Sequence, residues 1–143
     1  MSDANVDVVR RIEAAWEKND VDALDELIAA DYSPHTPGSD QMPPGLAGAK
    51  VAHEQSMQAF PDRHNQVLDI FGEGDLVVSH VRMKATNTGG LPWFGIPANG
   101  RQVDTDWITI FRLEGGKVVE TWAQMDIPKM MMQLGAMPAM GGE

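Results

Sequence analysis

The 143-residue chain contains no cysteine, which excludes disulfides, thiol nucleophiles and thiolate metal sites. No apolar run approaches the roughly 18 residues of a membrane span, and the N-terminus "MSDANVDVVRR" lacks a basic segment followed by an apolar stretch. Basic residues are scarce: 11 Lys and Arg stand against 21 Asp and Glu, a formal charge of −10. A surface of that sign repels phosphate backbones and anionic headgroups, so nucleic acid and membranes are disfavoured as partners and a cytoplasmic setting is expected. The sequence also has no internal repeat.

What is present fits an ordinary globular domain, with 43% hydrophobic and 22% charged residues. A single domain over residues 1–143 is predicted, with a mobile tail after about residue 135, where "GAMPAMGGE" dissolves into Gly and Pro. Val9, Ile12 and Trp16 recur at helical spacing; Asp20 can cap a second helix carrying Leu24, Leu27 and Ile28. "DYSPHTPGSDQMPPG" reads as a long irregular loop. A third helix runs from Leu46 to about Phe60, where Pro61 ends it. Beyond it the period changes to two: "HNQVLDIFGEGDLVVSHVRMKATNTG" and "RQVDTDWITIFRLEGGKVVETWAQMD" each read as an antiparallel hairpin. Between them "GGLPWFGIPANG" is a candidate flap, expected to border one pocket together with residues 33–45. Helices first and strands afterwards imply an α+β architecture with helices on one face of an antiparallel sheet.

Two motifs fail on inspection. "HEQSM" has Met57 where a helical zinc site needs its second histidine, and "GEGDLV" lacks the third glycine of a dinucleotide loop and joins two strands. The last strand is more informative. By alternation Glu120, Trp122, Gln124 and Asp126 share one face if no bulge intervenes, and Asp126 can cap the helix opened by Ile127 and Pro128. Asp104 and Asp106 share a face of the third strand of the sheet, and His80 and Arg82 a face of the second; alternation leaves open whether either face is concave.

The order and spacing of "DYSPHTP", "AFPDRHNQVLDIFGEGDLVVSHVRMKATNTGG", "FGIPANGRQV", "ITIFRLEGGKVVETWAQMD" and "MMQLG" resembles, over nearly the whole chain, the SnoaL-like polyketide cyclase family. The resemblance implies a nuclear-transport-factor-2-like fold, a cone-shaped curved antiparallel sheet covered by three N-terminal helices, with a ligand pocket in its mouth. It further implies an acid/base Asp126 that takes a proton from a carbon flanked by carbonyl groups, so that the enolate closes a ring by intramolecular aldol attack. No cofactor or metal is implied. The expected substrate is a small hydrophobic carbonyl or aromatic compound, and the protein is expected to form a homodimer or higher homo-oligomer.

His35 and Asp106 are the further catalytic candidates, His35 as a hydrogen-bond donor or proton relay or simply a loop anchor. Trp93, Phe94, Trp122, Gln124, His53 and His80 are candidates for substrate contact. Two departures stand out: Thr121 and Asn87 occupy places where relatives often carry histidine, which removes a relay role at Thr121 and puts the usual substrate in doubt. Two other functions remain open on this fold. One is a limonene-type epoxide hydrolase with Asp126 activating water and Arg82 and Asp106 as partners; the other is a hydrophobic-ligand-binding domain without chemistry.

Overall fold

The computed structural model describes residues 2–137; the side chains of Ser2 and Trp93 lie outside the described residues, as does the end of the predicted tail, residues 138–143. Helix α1 spans Ser2–Lys18, and Asn19, at φ 60°, turns the chain out of it. Asp20 then accepts a hydrogen bond from Ala23 N at 3.3 Å and caps the turn that leads into the short α2, Leu24–Leu27. Strand β1 is Ile28–His35, and α3, Gly45–Ala59, follows an irregular segment. Strands β2 (His64–Glu73), β3 (Leu76–Thr86), β4 (Gln102–Glu114) and β5 (Lys117–Met125) precede α4, Ile127–Gln133.

The five strands form one open sheet in the order β1-β5-β4-β3-β2. Strands β2 to β5 are antiparallel neighbours, as the sequence predicts, whereas β1 pairs parallel with β5. The predicted loop therefore starts later than its proline content suggests. Pro34 lies within β1, which it tolerates because β1 is an edge strand and only one of its sides must supply hydrogen bonds. Register shifts at Val67/Asp69 and Arg112/Leu113 interrupt the regular pairing, the kind of irregularity that bends a strand and increases its twist.

Alternation on this sheet has a definite phase. Val77, Ser79, Val81, Met83 and Ala85 of β3, and Val103, Thr105, Thr109, Phe111 and Leu113 of β4, are buried on the helix-covered face. Two apolar clusters fill that side. One joins α1, α2 and α3 to Val77, Phe111, Leu113 and Val118. The other joins Ala59 and Phe60 to Met83, Val103, Leu91, Ile96 and α4.

The predicted flap belongs to that second cluster. Leu91 and Ile96 are buried, and Asn87, itself buried, ties the segment down: its Nδ2 donates to Pro97 O and Asn99 Oδ1, both at 3.0 Å, and its Oδ1 accepts from Gly90 N at 2.8 Å. Asn99 Nδ2 in turn donates to Leu134 O at 2.9 Å. Asn87 is thus the staple of a packed loop. A side chain that makes three such bonds in the interior holds backbone groups that would otherwise be unpaired.

Candidate functional site

A cavity of about 300 Å³ opens between α1, α3 and the covered face of the sheet. Its sheet wall is Trp107, Thr109 and Phe111 of β4 with Thr121, Ala123 and Met125 of β5. Across from them stand Glu13 and Trp16 of α1, Tyr32 of β1, Ser56 of α3, and Arg63 and Asn65 at the start of β2. The walls are mainly apolar, and Glu13 is their single carboxylate among the described residues.

Glu13 is half-buried as a residue, but its carboxyl is enclosed. Burial pushes its pKa from 4.5 to about 7, against the opposing pull of the Arg63 guanidinium. Arg63 is held from several sides. Its Nη1 donates to Ser56 Oγ and its Nη2 to the Trp16 carbonyl, each at 2.5 Å, and the guanidinium lies 5.9 Å from the Trp16 ring centroid. Burial lowers the Arg63 pKa while Glu17 and Glu13 raise it, so an ionised guanidinium stays matched to acidic neighbours.

At the other side of the cavity the Tyr32 hydroxyl and Thr121 Oγ1 are 2.6 Å apart. Burial raises the Tyr32 pKa, so its hydroxyl keeps its proton at neutral pH and can donate it in a hydrogen bond. Behind Trp16 sits His53, 2% exposed, with ring centroids 4.6 Å apart and planes tilted by 54°. Burial and the nearby Arg63 both lower its pKa, and neither ring nitrogen has a hydrogen-bond partner among the described residues. His53 therefore supports Trp16 from behind and is not among the described cavity-lining residues.

The structure distributes the other sequence-predicted site residues differently. Trp122 and Gln124 are on the outer face of β5, because the irregularity beside Val119 sets Thr121, Ala123 and Met125 inward. Asp126 is exposed and caps α4, accepting from Lys129 N at 3.0 Å; it is absent from the described cavity lining. His80 and Asp106 are also outward, joined Nε2 to Oδ2 at 2.5 Å, with Asp69 3.5 Å from the other ring nitrogen. That bond raises the His80 pKa and lowers that of Asp106.

Arg82 grips Asp104 beside them through two bonds of 2.8 and 2.7 Å, so the trio suggested for epoxide opening does not meet in the cavity. His35 lies on the outer face as well, 2.7 Å from Glu120 and stacked on Trp122 at 5.5 Å, with Arg112 on the other Glu120 oxygen. Phe94 packs against the second apolar cluster, and no described side chain of residues 89–100 lines the cavity. Of the two loops expected to border one pocket, only the first does so, through Thr36 and Pro37.

Glu13 and Arg63 were not singled out from the sequence. The signal for Glu13 was there: Val9, Glu13 and Trp16 fall at i, i+4 and i+7, which puts a carboxylate inside the apolar stripe of α1. Arg63 follows Pro61 and Asp62 in a turn and has no comparable pattern. Among the described residues no group of three His, Asp or Glu side chains could hold a metal ion. No helix is long and apolar enough to cross a membrane.

Comparison with known proteins is consistent with this architecture. A family profile, SnoaL-like polyketide cyclase, matches residues 6–134. The chain belongs to that family. Similar solved structures include TsrD from Streptomyces laurentii, 27% identical with a TM-score of 0.85, covering 96% of this chain and 99% of its own. IdmH from Streptomyces antibioticus, named as a candidate polyketide cyclase, is 30% identical with a TM-score of 0.77 over 92% of this chain and 98% of its own. A protein of Acidithiobacillus ferrooxidans named in the same way is 25% identical with a TM-score of 0.79 over 92% and 94%. Comparison with curated proteins finds no match. In this SnoaL-like chain the inward positions of β5 carry Thr121, Ala123 and Met125, none of them ionisable near neutral pH, and the one carboxylate among the described lining residues, Glu13, stands on α1.

Capping by Asp126 has a measurable consequence. Asp126→Ala should lower stability by about 1 kcal/mol, and Asp126→Asn by no more than a few tenths, because asparagine is an equally good cap. Thermal melts of the two variants decide it; equal losses would show that the cap bond contributes nothing.

Proposed function

We propose that this protein is an enolising enzyme of the cyclase kind, with Glu13 as its general base and a small hydrophobic carbonyl compound as its substrate. The observation that carries this reading is the enclosed Glu13 carboxyl with a pKa of about 7, in an otherwise apolar cavity of about 300 Å³. A base is most effective when its pKa lies near the working pH, since it is then both ionised and strongly proton-accepting.

In the first step the Glu13 carboxylate takes the proton from a carbon flanked by two carbonyl groups, and the C–H electron pair moves onto a carbonyl oxygen. Tyr32, kept protonated, offers that oxygen a hydrogen bond, and Thr121 holds the Tyr32 hydroxyl in place at 2.6 Å. The enolate carbon then attacks a third, more distant carbonyl of the same molecule, a C–C bond forms, and the new alkoxide takes back the proton that Glu13 holds. The protein's part is to position the chain ends and to exclude water, which Trp16 does from α1 and Trp107 and Phe111 from the sheet wall.

The test is a pH–rate profile. Deuterium exchange at the acidic carbon of ethyl benzoylacetate, measured above the buffer rate between about pH 5 and about pH 8, should rise with pH and level off with a midpoint near 7. A midpoint in the ordinary carboxylate range would exclude Glu13 as the base. Full loss of exchange in Asp126→Asn, with Glu13→Gln unimpaired, would return that role to Asp126.

A further inference from the structure

The cavity does not end at the lobe that holds Glu13. A second lobe of about 270 Å³ lies between α3 and the segment after β1, and the two share Trp16, Tyr32, Thr36, Pro37, Ala52 and Ser56 as a waist. The chemistry is divided unequally between them. Glu13, Arg63 and Asn65 line the first lobe only. No Asp, Glu, Lys, Arg or His among the described residues lines the second, whose own walls include Pro34, Met42, Ala49 and Phe60. A charged group placed there would lose hydration with no opposite charge and only neutral groups such as Ser39 and Gln55 beside it, whereas an alkyl chain or ring would gain by leaving water. The space is sufficient, since an apolar cavity of about 150 Å³ holds a benzene molecule.

The waist is stiff on one side and open on the other. Trp16 is held by contacts with the His53 ring and the Arg63 guanidinium. Opposite it, α3 presents Ala52, the smallest of the six shared side chains. The wall beyond is also fixed: α3 and the segment before it touch so closely at Gly48 that a Cβ there would stand 1.8 Å from Pro43 O. A longer side chain at position 52 would therefore fill the passage, because its surroundings have no room to retreat.

We propose that the second lobe is a subsite for a neutral, apolar extension of the substrate, and that Ala52 at the waist determines whether the extension is admitted. This rests on the enolisation reading only for which end of the molecule reacts. Substrates of this enzyme are thus elongated, with the acidic carbon at one end and at least one ring or short alkyl chain beyond it.

Calorimetric titration of ethyl benzoylacetate and of its para-pentyl derivative tests the subsite directly. The wild-type protein should bind the pentyl compound roughly tenfold or more tightly than the parent, from burial of the added methylenes. Ala52→Phe should abolish that preference. Met42→Trp fills the second lobe without touching the waist and should do the same; if Ala52→Phe fails to fold, this variant decides. A wild-type protein without the preference, variants that retain it, or folded variants that weaken both compounds equally would each overturn the subsite. Glu13→Gln should keep the preference intact. Unimpaired turnover in that variant would remove Glu13 from the reaction and leave the subsite standing, whereas an unchanged preference in folded Ala52→Phe would remove the subsite and leave the base standing.

Discussion

Glu13→Gln should lower turnover by about 100-fold or more and, in the same protein, raise the melting temperature at pH 8. The two effects have one origin. In the unfolded chain the carboxyl titrates near 4.5, in the folded chain near 7, so the folded state binds the proton more tightly. The stability this confers is fully present below about pH 4.5 and is lost as pH rises through 7. Above that range the folded protein holds an ionised, enclosed carboxylate at a cost of roughly 3 kcal/mol, taking 1.36 kcal/mol for each unit of difference. Glutamine keeps the shape and has no charge to desolvate. Melts at pH 5 and pH 8 should show the variant gaining on the wild type by on the order of 1–3 kcal/mol more at the higher pH than at the lower. An equal gain at both would mean that Glu13 is not the group that titrates.

Arg63→Met should be the most damaging single change in the cavity, costing about 2–4 kcal/mol. It leaves Ser56 Oγ without its donor, takes from the Trp16 carbonyl the shorter of its two hydrogen bonds, and removes the cation that faces Glu13 and Glu17. Because Arg63 lowers the Glu13 pKa, its loss should also move the midpoint of the pH–rate profile upward. Arg63→Lys separates these roles. A lysine supplies the charge without the planar fork, so the midpoint should stay near that of the wild type while part of the stability is still lost. If the lysine variant shifts the midpoint as far as the methionine variant does, the guanidinium acts on Glu13 through packing and not through charge.

Much of this fold was legible in the residues. The helices, the two hairpins and their glycine turns follow from periodicity, and the family from the order of its motifs. The phase of the sheet was the hard part, since a shift of one residue exchanges its faces. His80, Asp106, Trp122 and Gln124 all fall on the outer side. On β4 the inward set of Val103, Thr105, Trp107, Thr109, Phe111 and Leu113 is distinguishable from Asp104, Asp106 and Arg112 on the other face. On β5 the contrast is weak, because Trp122 lies outward and Thr121 inward; only the pairing of Trp122 with Ile110 settles it. The parallel β1 was hidden for another reason. Its partner, β5, pairs Ile28 with Val118, well over half the chain away, and two residues of "SPHTP" have no backbone donor.

That separation bears on how the protein is made. Tyr32 and Thr121, 89 residues apart in sequence, come together only when β5 is available to receive β1. Contacts of such range form late, because the intervening chain must be ordered before the loop closure is rewarded. A nascent chain that has emerged only as far as β4 has α1, α3 and two of the three antiparallel strand pairs, yet lacks the strand that unites the wall around Glu13 with the edge beside it. The cavity is therefore complete only once β5 is in place, and an N-terminal fragment that stops at β4 should not bind ethyl benzoylacetate.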